Sequence, residues 1–134
     1  MDRWNEKLGD LDKAINRLEE AIDESNINPN SSTLKDGVIQ RFEFTYELCW
    51  KLMKHFLEME GIEEAKSPRS TFREAFQYGL IEDGDLWIDM LKDRNLTSHI
   101  YDEDVLIEIY NKIKYRYFEA LSNMKDTLER KDFS

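Results

Sequence analysis

Apolar residues recur along this chain at spacings of three and four, and they do so in long uninterrupted stretches. Trp4, Leu8, Leu11, Ile15, Leu18 and Ile22 form one such stripe, which predicts a first helix from residue 2 to about 25. Asn26-Ile27-Asn28-Pro29-Asn30-Ser31-Ser32 breaks the pattern and reads as a loop. Ile39, Phe42, Tyr46, Cys49, Met53 and Phe56 then carry a second helix from about 33 to 60. Val38, Phe44, Leu48, Trp50, Leu52, Leu57 and Met59 spread its apolar surface beyond one face. A helix apolar on more than one side is either central or faces a second subunit. At about 1.5 Å per residue it is roughly 40 Å long, enough to traverse the domain. Gly61 is placed to end it as a left-handed cap.

Shorter segments follow. Ser67 is the expected N-cap of a third helix and Pro68 its first residue, with Phe72, Ala75 and Phe76 as its buried side and Gly79 as its stop. After Asp83-Gly84-Asp85 a fourth helix begins, with Leu86, Trp87, Met90 and Leu91 apolar. Asp102 or a neighbour caps the last one, which Leu106, Ile109, Tyr110, Ile113, Tyr117, Leu121, Met124 and Leu128 carry towards the C-terminus. No segment alternates with a period of two. The fold class predicted is all-α: an antiparallel up-and-down bundle of about four to five helices, a single domain over residues 1–134.

Composition agrees with that picture. Glycine (5) and proline (2) are scarce, and a 40% hydrophobic fraction is too high for a disordered chain. The polar start Met1-Asp2-Arg3-Trp4-Asn5-Glu6 is not a secretory signal, and no run of eighteen apolar residues exists to span a bilayer. A cytoplasmic protein with no membrane association is expected. The single cysteine, Cys49, excludes an intramolecular disulfide.

Net charge narrows function further. Nineteen Lys and Arg against 29 Asp and Glu give −10, so most of the surface repels polyanions. Any nucleic-acid activity requires a local basic pocket or a partner. No glycine-rich phosphate loop is present. Cys49 lies in the apolar stripe without a nearby histidine, as a buried thiol would. His55 reads as a histidine at the core edge. Two histidines without a second ligand at i+4 do not predict a metal site, and no cofactor is expected. The glutamates around 19–20 and 58–64 read as solvated surface.

One stretch differs in kind. Arg94-Asn95-Leu96-Thr97-Ser98-His99-Ile100-Tyr101 packs together a permanent cation, a group that titrates near neutrality and a phenol. Arginine and histidine suffice for metal-free RNA cleavage: the imidazole moves the proton and the guanidinium stabilises the strained phosphate. In a continuous helix, residues five apart diverge by about 140°. Arg94 and His99 therefore converge only if the helix ends between them, or if a two-fold dimer brings two copies into one cleft.

This stretch resembles the R-x4-H-x-Y motif of the HEPN superfamily, and in particular of the nucleotidyltransferase substrate-binding proteins, the small partners of minimal nucleotidyltransferases. The resemblance extends to Asp36-Gly37-Val38-Ile39-Gln40-Arg41-Phe42-Glu43-Phe44-Thr45-Tyr46-Glu47-Leu48, to Arg73-Glu74-Ala75-Phe76 through Gly79-Leu80-Ile81, and to Trp87. It implies a homodimeric helical bundle acting as a metal-independent endoribonuclease toxin. Its antitoxin would be a cognate minimal nucleotidyltransferase that transfers AMP onto the motif tyrosine. On this resemblance Arg94 and His99 are catalytic, Asn95 is a polar support, and Tyr101 is the modification site, with no metal. The alternative it carries is a non-enzymatic subunit that binds the substrate of a two-component nucleotidyltransferase.

Overall fold

The computed structural model describes residues 2–98 and 102–131. Within them the chain forms α1 (Asp2–Ile27), α2 (Ser32–Met59), α3 (Pro68–Tyr78), α4 (Gly84–Thr97), and a last rod built from α5 (Glu103–Lys112), one π-helical turn (Ile113–Tyr117) and α6 (Phe118–Glu129). The described residues contain no strand. His99, Ile100 and Tyr101 lie outside them.

Direction follows from which residues meet. Thr45 Oγ1 donates to the Ala14 carbonyl at 3.3 Å, Arg41 Nη1 to the Arg17 carbonyl at 2.6 Å, and the His55 ring stacks on Trp4 at 5.8 Å. Numbers that rise on one helix fall on the other, so α1 and α2 are antiparallel. Ser25 shares a 2.6 Å hydrogen bond with Tyr110, and Lys125 pairs with Asp12 at 3.2 Å, so the last rod also runs against α1. Helices α1, α2, α4 and the last rod thus alternate in direction. Helix α3 is an extra short element in the connection between α2 and α4.

The stripes read from the sequence form the core. All six residues assigned to each of the α1 and α2 stripes are buried, and Val38, Leu52 and Leu57 join them from the wider face of α2. Phe44 does not: it stands 62% exposed. Phe76 also departs from expectation, at 54% exposed. It sits one turn beyond buried Phe72 at the open cleft between α3 and α4, where its ring meets the first residue of α4, Gly84.

Chain punctuation is where the sequence placed it. Ser67 and Ser70 form a reciprocal capping box before α3, and Gly61 and Gly79 take positive φ angles of 86° and 93° just after α2 and α3. Asp83 and Asp102 cap α4 and α5 by accepting from the Leu86 and Asp104 amides.

The π turn has a cause in the sequence. Ile109, Ile113, Tyr117 and Leu121 are buried at successive spacings of four. On a regular α-helix each such step rotates the stripe by about 40°. The wider turn with i→i+5 bonding absorbs part of that drift and keeps all four on the core side.

Cys49, Tyr46 and Tyr117 are ionisable groups sealed inside this core, each at most 1% exposed. Burial pushes the Cys49 thiol and both phenols above their ordinary ranges; at Tyr117 the Asp93 carboxylate adds to the effect. A raised folded-state value stabilises the fold fully below the unfolded value, and that contribution is lost as pH rises beyond it. Stability is therefore expected to decline from about pH 8.5, where an unfolded thiol ionises, and more steeply above about pH 10, where the phenols follow. Urea denaturation between pH 7 and 11 measures this. Cys49→Ala should remove the first part of the decline and leave the second.

Candidate functional site

Helix α4 delivers Asp93 and Arg94 at its last turn, and the two side chains leave in different directions. Asp93 points into the bundle and is 6% exposed. Such a carboxylate must be compensated or it would destabilise the fold. Tyr117 donates its phenol hydrogen to Asp93 Oδ2, and Lys112 Nζ lies 3.3 Å from the same oxygen. Lys112 and Tyr117 are five apart, a spacing that diverges on an α-helix. Lys112 directly precedes the π turn and Tyr117 closes it, and the turn brings the two groups back onto one carboxylate. Asp89 and Arg116, 3.6 Å apart, repeat the α4-to-rod contact one turn back.

Arg94 turns outward onto α2 and is one-quarter exposed. Its Nη1 lies 3.1 Å from Glu43 Oε2, and its Nε lies 3.9 Å from Glu47 Oε1. Glu43 and Glu47 are one turn apart on α2, so their carboxylates present a single face to the guanidinium. Glu47 also accepts from Trp50 Nε1 at 3.1 Å and pairs with Lys51 at 3.7 Å. It therefore joins Arg94 to the exposed side of α2. The Nε of Arg94 is buried and makes no hydrogen bond among the described residues. The guanidinium is thus fixed in place by two carboxylates, and only the exposed quarter of the side chain is left to meet an incoming phosphate oxygen.

The remaining candidates are placed as follows. Helix α4 ends at Thr97 with Ser98 as its C-cap, so the helix does terminate between Arg94 and His99. Thr97 Oγ1 donates to the Arg94 carbonyl at 2.8 Å, and Ser98 Oγ to the Asn95 carbonyl at 3.3 Å, closing that end. Asn95 is exposed. His99 and Tyr101 fall outside the described residues. Cys49 is fully buried, as its place in the stripe required. His55 is half-buried against Trp4. Among the described residues no three His, Cys, Asp or Glu side chains are grouped to hold a metal ion, and no helix is long and apolar enough to cross a membrane.

Sequence reasoning missed Glu43, Glu47, Asp93, Lys112 and Tyr117. A signal for the first two was present, since they are four apart within a segment already singled out by its family resemblance. The convergence of Lys112 and Tyr117 had none, because it depends on the π turn.

The sequence pattern of the family described as nucleotidyltransferase substrate binding protein like matches residues 6–130. The chain belongs to this family. A Haemophilus influenzae protein named Probable ribonuclease HepT is 31% identical over 138 residues, covering 94% of each chain. The structure of a Haemophilus influenzae protein, described as revealing the fold of a substrate binding domain of a nucleotidyltransferase, superposes with a TM-score of 0.81 at 32% identity, over 92% of this chain and 99% of that one. A tri-AMPylated Shewanella oneidensis HEPN toxin, solved in complex with its MNT antitoxin, shares the fold at a TM-score of 0.81 and 21% identity, over 98% and 99% of the two chains.

Removing the Tyr117 hydroxyl leaves the buried Asp93 carboxylate with Lys112 alone. Tyr117→Phe is expected to cost about 1–3 kcal/mol of stability, read as a lower urea midpoint at pH 7. An unchanged midpoint would mean that Lys112 alone satisfies Asp93.

Proposed function

We propose that this chain is a HEPN toxin of a toxin–antitoxin pair: a metal-independent endoribonuclease that works as a homodimer and is silenced by a nucleotidyltransferase partner. One observation carries the reading. Arg94 is clamped at the end of α4 by Glu43 and Glu47 with its side chain still one-quarter exposed, and the helix stops before His99. Support also comes from a relative named as a ribonuclease at 31% identity over nearly the whole chain.

The chemistry assigns each group a task. His99 takes the proton from a ribose 2′-hydroxyl, and the 2′-oxygen attacks the adjacent phosphorus. The bond from phosphorus to the 5′-oxygen breaks, and that oxygen leaves with a proton supplied by the imidazolium of one copy or the other. Arg94 neutralises the charge that gathers on the phosphoryl oxygens. Asn95, exposed on the same turn, supports the substrate. The two-fold dimer supplies a second Arg94 and His99 to one cleft. In the silencing step the Tyr101 oxygen attacks the α-phosphorus of ATP and pyrophosphate departs. The AMP left on Tyr101 adds bulk and negative charge two residues from His99 and repels substrate phosphate. The Shewanella toxin described as tri-AMPylated makes a nucleotide addition of this kind a natural expectation here. A cytoplasmic site of action goes with an RNA target and an ATP-dependent partner.

A second reading has its own support in the relative described as a substrate-binding domain of a nucleotidyltransferase. In that case the chain presents a third molecule to the transferase and cleaves nothing.

Expression without the partner discriminates between them. The wild type should arrest growth and fragment cellular RNA, and His99→Ala should lower the cleavage rate by at least about 100-fold. Cleavage should persist in EDTA. Equal RNA integrity in wild type and variant would sink the ribonuclease reading. Incubation with the cognate transferase and ATP, followed by peptide mass spectrometry, should place AMP on Tyr101. Transfer to a third molecule instead would favour substrate presentation.

A further inference from the structure

We propose that the groove between α1 and the exposed side of α2 is the track along which a single strand of RNA approaches Arg94. The inference rests on the ribonuclease reading and assigns it a substrate-binding surface.

A chain of net charge −10 needs a place where phosphate is welcome. The α1–α2 groove is such a place. At one end, a cleft of about 390 Å³ is lined by Arg3 and Lys7 from α1 and by Lys51, Lys54 and His55 from α2, with Glu58 as the only lining carboxylate among the described residues. At the other end, a cleft of about 380 Å³ is lined by Arg17 and Arg41 and, among the described residues, by no carboxylate. A larger cleft, about 820 Å³ between α3 and α4, behaves oppositely: Arg69 and Arg73 there face Glu82, Asp83 and Asp85. Basic character therefore follows one groove rather than cleft size.

Helix periodicity explains why the two clefts belong together. Arg3, Lys7, Ala14 and Arg17 fall on one stripe of α1, and Arg41, Phe44, Leu48, Lys51 and His55 on one stripe of α2. Because the helices are antiparallel, Arg3 and Lys7 sit opposite Lys51 and His55, and Arg17 sits opposite Arg41. From Arg41 to His55 the groove is about 21 Å long.

Two of its cations, Arg3 and Lys7, are available, whereas Lys51 pairs with Glu47 and Arg41 donates to the Arg17 carbonyl. Among the described residues neither Arg3 nor Lys7 has a salt bridge, although Glu6 and Asp10 share a neighbouring hollow with them. Lys54 is paired with Glu58. Each basic end carries a ring: Phe44, 62% exposed, lines the cleft of Arg17 and Arg41, and half-buried Trp50 lines that of Lys51 and His55. Aromatic faces beside cations suit a strand whose bases stack while its phosphates are neutralised. The groove also leads to the candidate site: Lys51 pairs with Glu47, and Glu47 faces Arg94. An acidic protein segment would satisfy the cations but would leave the exposed ring faces without stacking partners.

The test uses the full chain and a fluorescent twelve-nucleotide RNA made uncleavable by 2′-O-methylation. Binding is followed by anisotropy over a range of salt concentrations. The double variant Arg3→Glu/Lys7→Glu changes two exposed side chains, and its thermal melt checks that it folds. It should bind at least ten-fold more weakly, with a salt slope shallower by about 0.7 for each phosphate that is no longer neutralised. On cleavable RNA it should raise KM by more than it lowers kcat. Arg69→Glu/Arg73→Glu alters net charge equally in the α3–α4 cleft and should shift affinity by less than about two-fold. Equal losses in the two doubles, or none in the first, would overturn the track.

Failure of the track is separable from failure of the ribonuclease reading. Wild-type cleavage with an unaltered KM in Arg3→Glu/Lys7→Glu removes the track alone. Groove-dependent binding without any cleavage by wild type removes the nuclease alone. If wild type binds no RNA, and the double variant instead loses the nucleotidyltransferase, the groove belongs to that protein and the RNA assignment is overturned.

Discussion

A carboxylate inside a helical bundle constrains everything around it, and Asp93 is that carboxylate. It needs two donors from one neighbouring rod, and a regular α-helix cannot offer them from positions five apart. The π turn at Ile113–Tyr117 meets this demand and also corrects the register of a hydrophobic stripe spaced in fours. The same turn therefore serves packing and polar satisfaction together. Because Asp93 directly precedes Arg94, fixing one also fixes where the other leaves the helix. Buried pairs of this kind add little stability over an apolar pair of the same shape, but they penalise any alternative register heavily. At the end of α4, register decides which way the guanidinium points.

Around that anchor, charge is partitioned by helix face. On α2, Glu43 and Glu47 look towards Arg94, whereas Arg41, Lys51 and His55 look towards α1. Glu47 sits at the boundary and touches both sets. The chain can thus be strongly acidic overall and still keep two surfaces where an anion is attracted. Repulsion from the body acts at long range and is weakened by salt, while the groove and Arg94 act at contact distance. An anion that reaches across several phosphates gains from both positive surfaces; a single small anion gains from only one.

Most of the fold was legible because its information is local. Stripes at spacings of three and four, Ser67 with Pro68, Gly61, Gly79 and the capping aspartates all act within one or two turns, and the helices end where these residues stand. Phe76 was misplaced because periodicity gives a face but not what covers that face, and there an open cleft separates α3 from α4. The site was legible only in part. Arg94, Asn95, His99 and Tyr101 were singled out by chemistry and resemblance, whereas Glu43, Glu47 and the Asp93 anchor belong to pairs 19 to 51 residues apart in the chain. Such pairs leave no periodic trace in a single sequence. The basic groove was invisible for the same reason: its cations are scattered over two helices within a sequence whose overall sign is opposite.

The placement of Arg94 also constrains how the proposed site distinguishes its ligands. A guanidinium already flanked by Glu43 and Glu47 is partly neutralised, so a carboxylate ligand of the same kind gains little by approaching it. A phosphodiester at a transition state carries more charge on its oxygens than in its ground state. It recovers more from electrostatic attraction to the guanidinium. The flanking glutamates lower the attraction felt by ground state and transition state alike. They also hold the guanidinium in one orientation before the substrate arrives, which removes a reorganisation cost from the reacting step. Ground-state affinity must then come from elsewhere on the surface, and the α1–α2 groove is the region whose sign and length allow it.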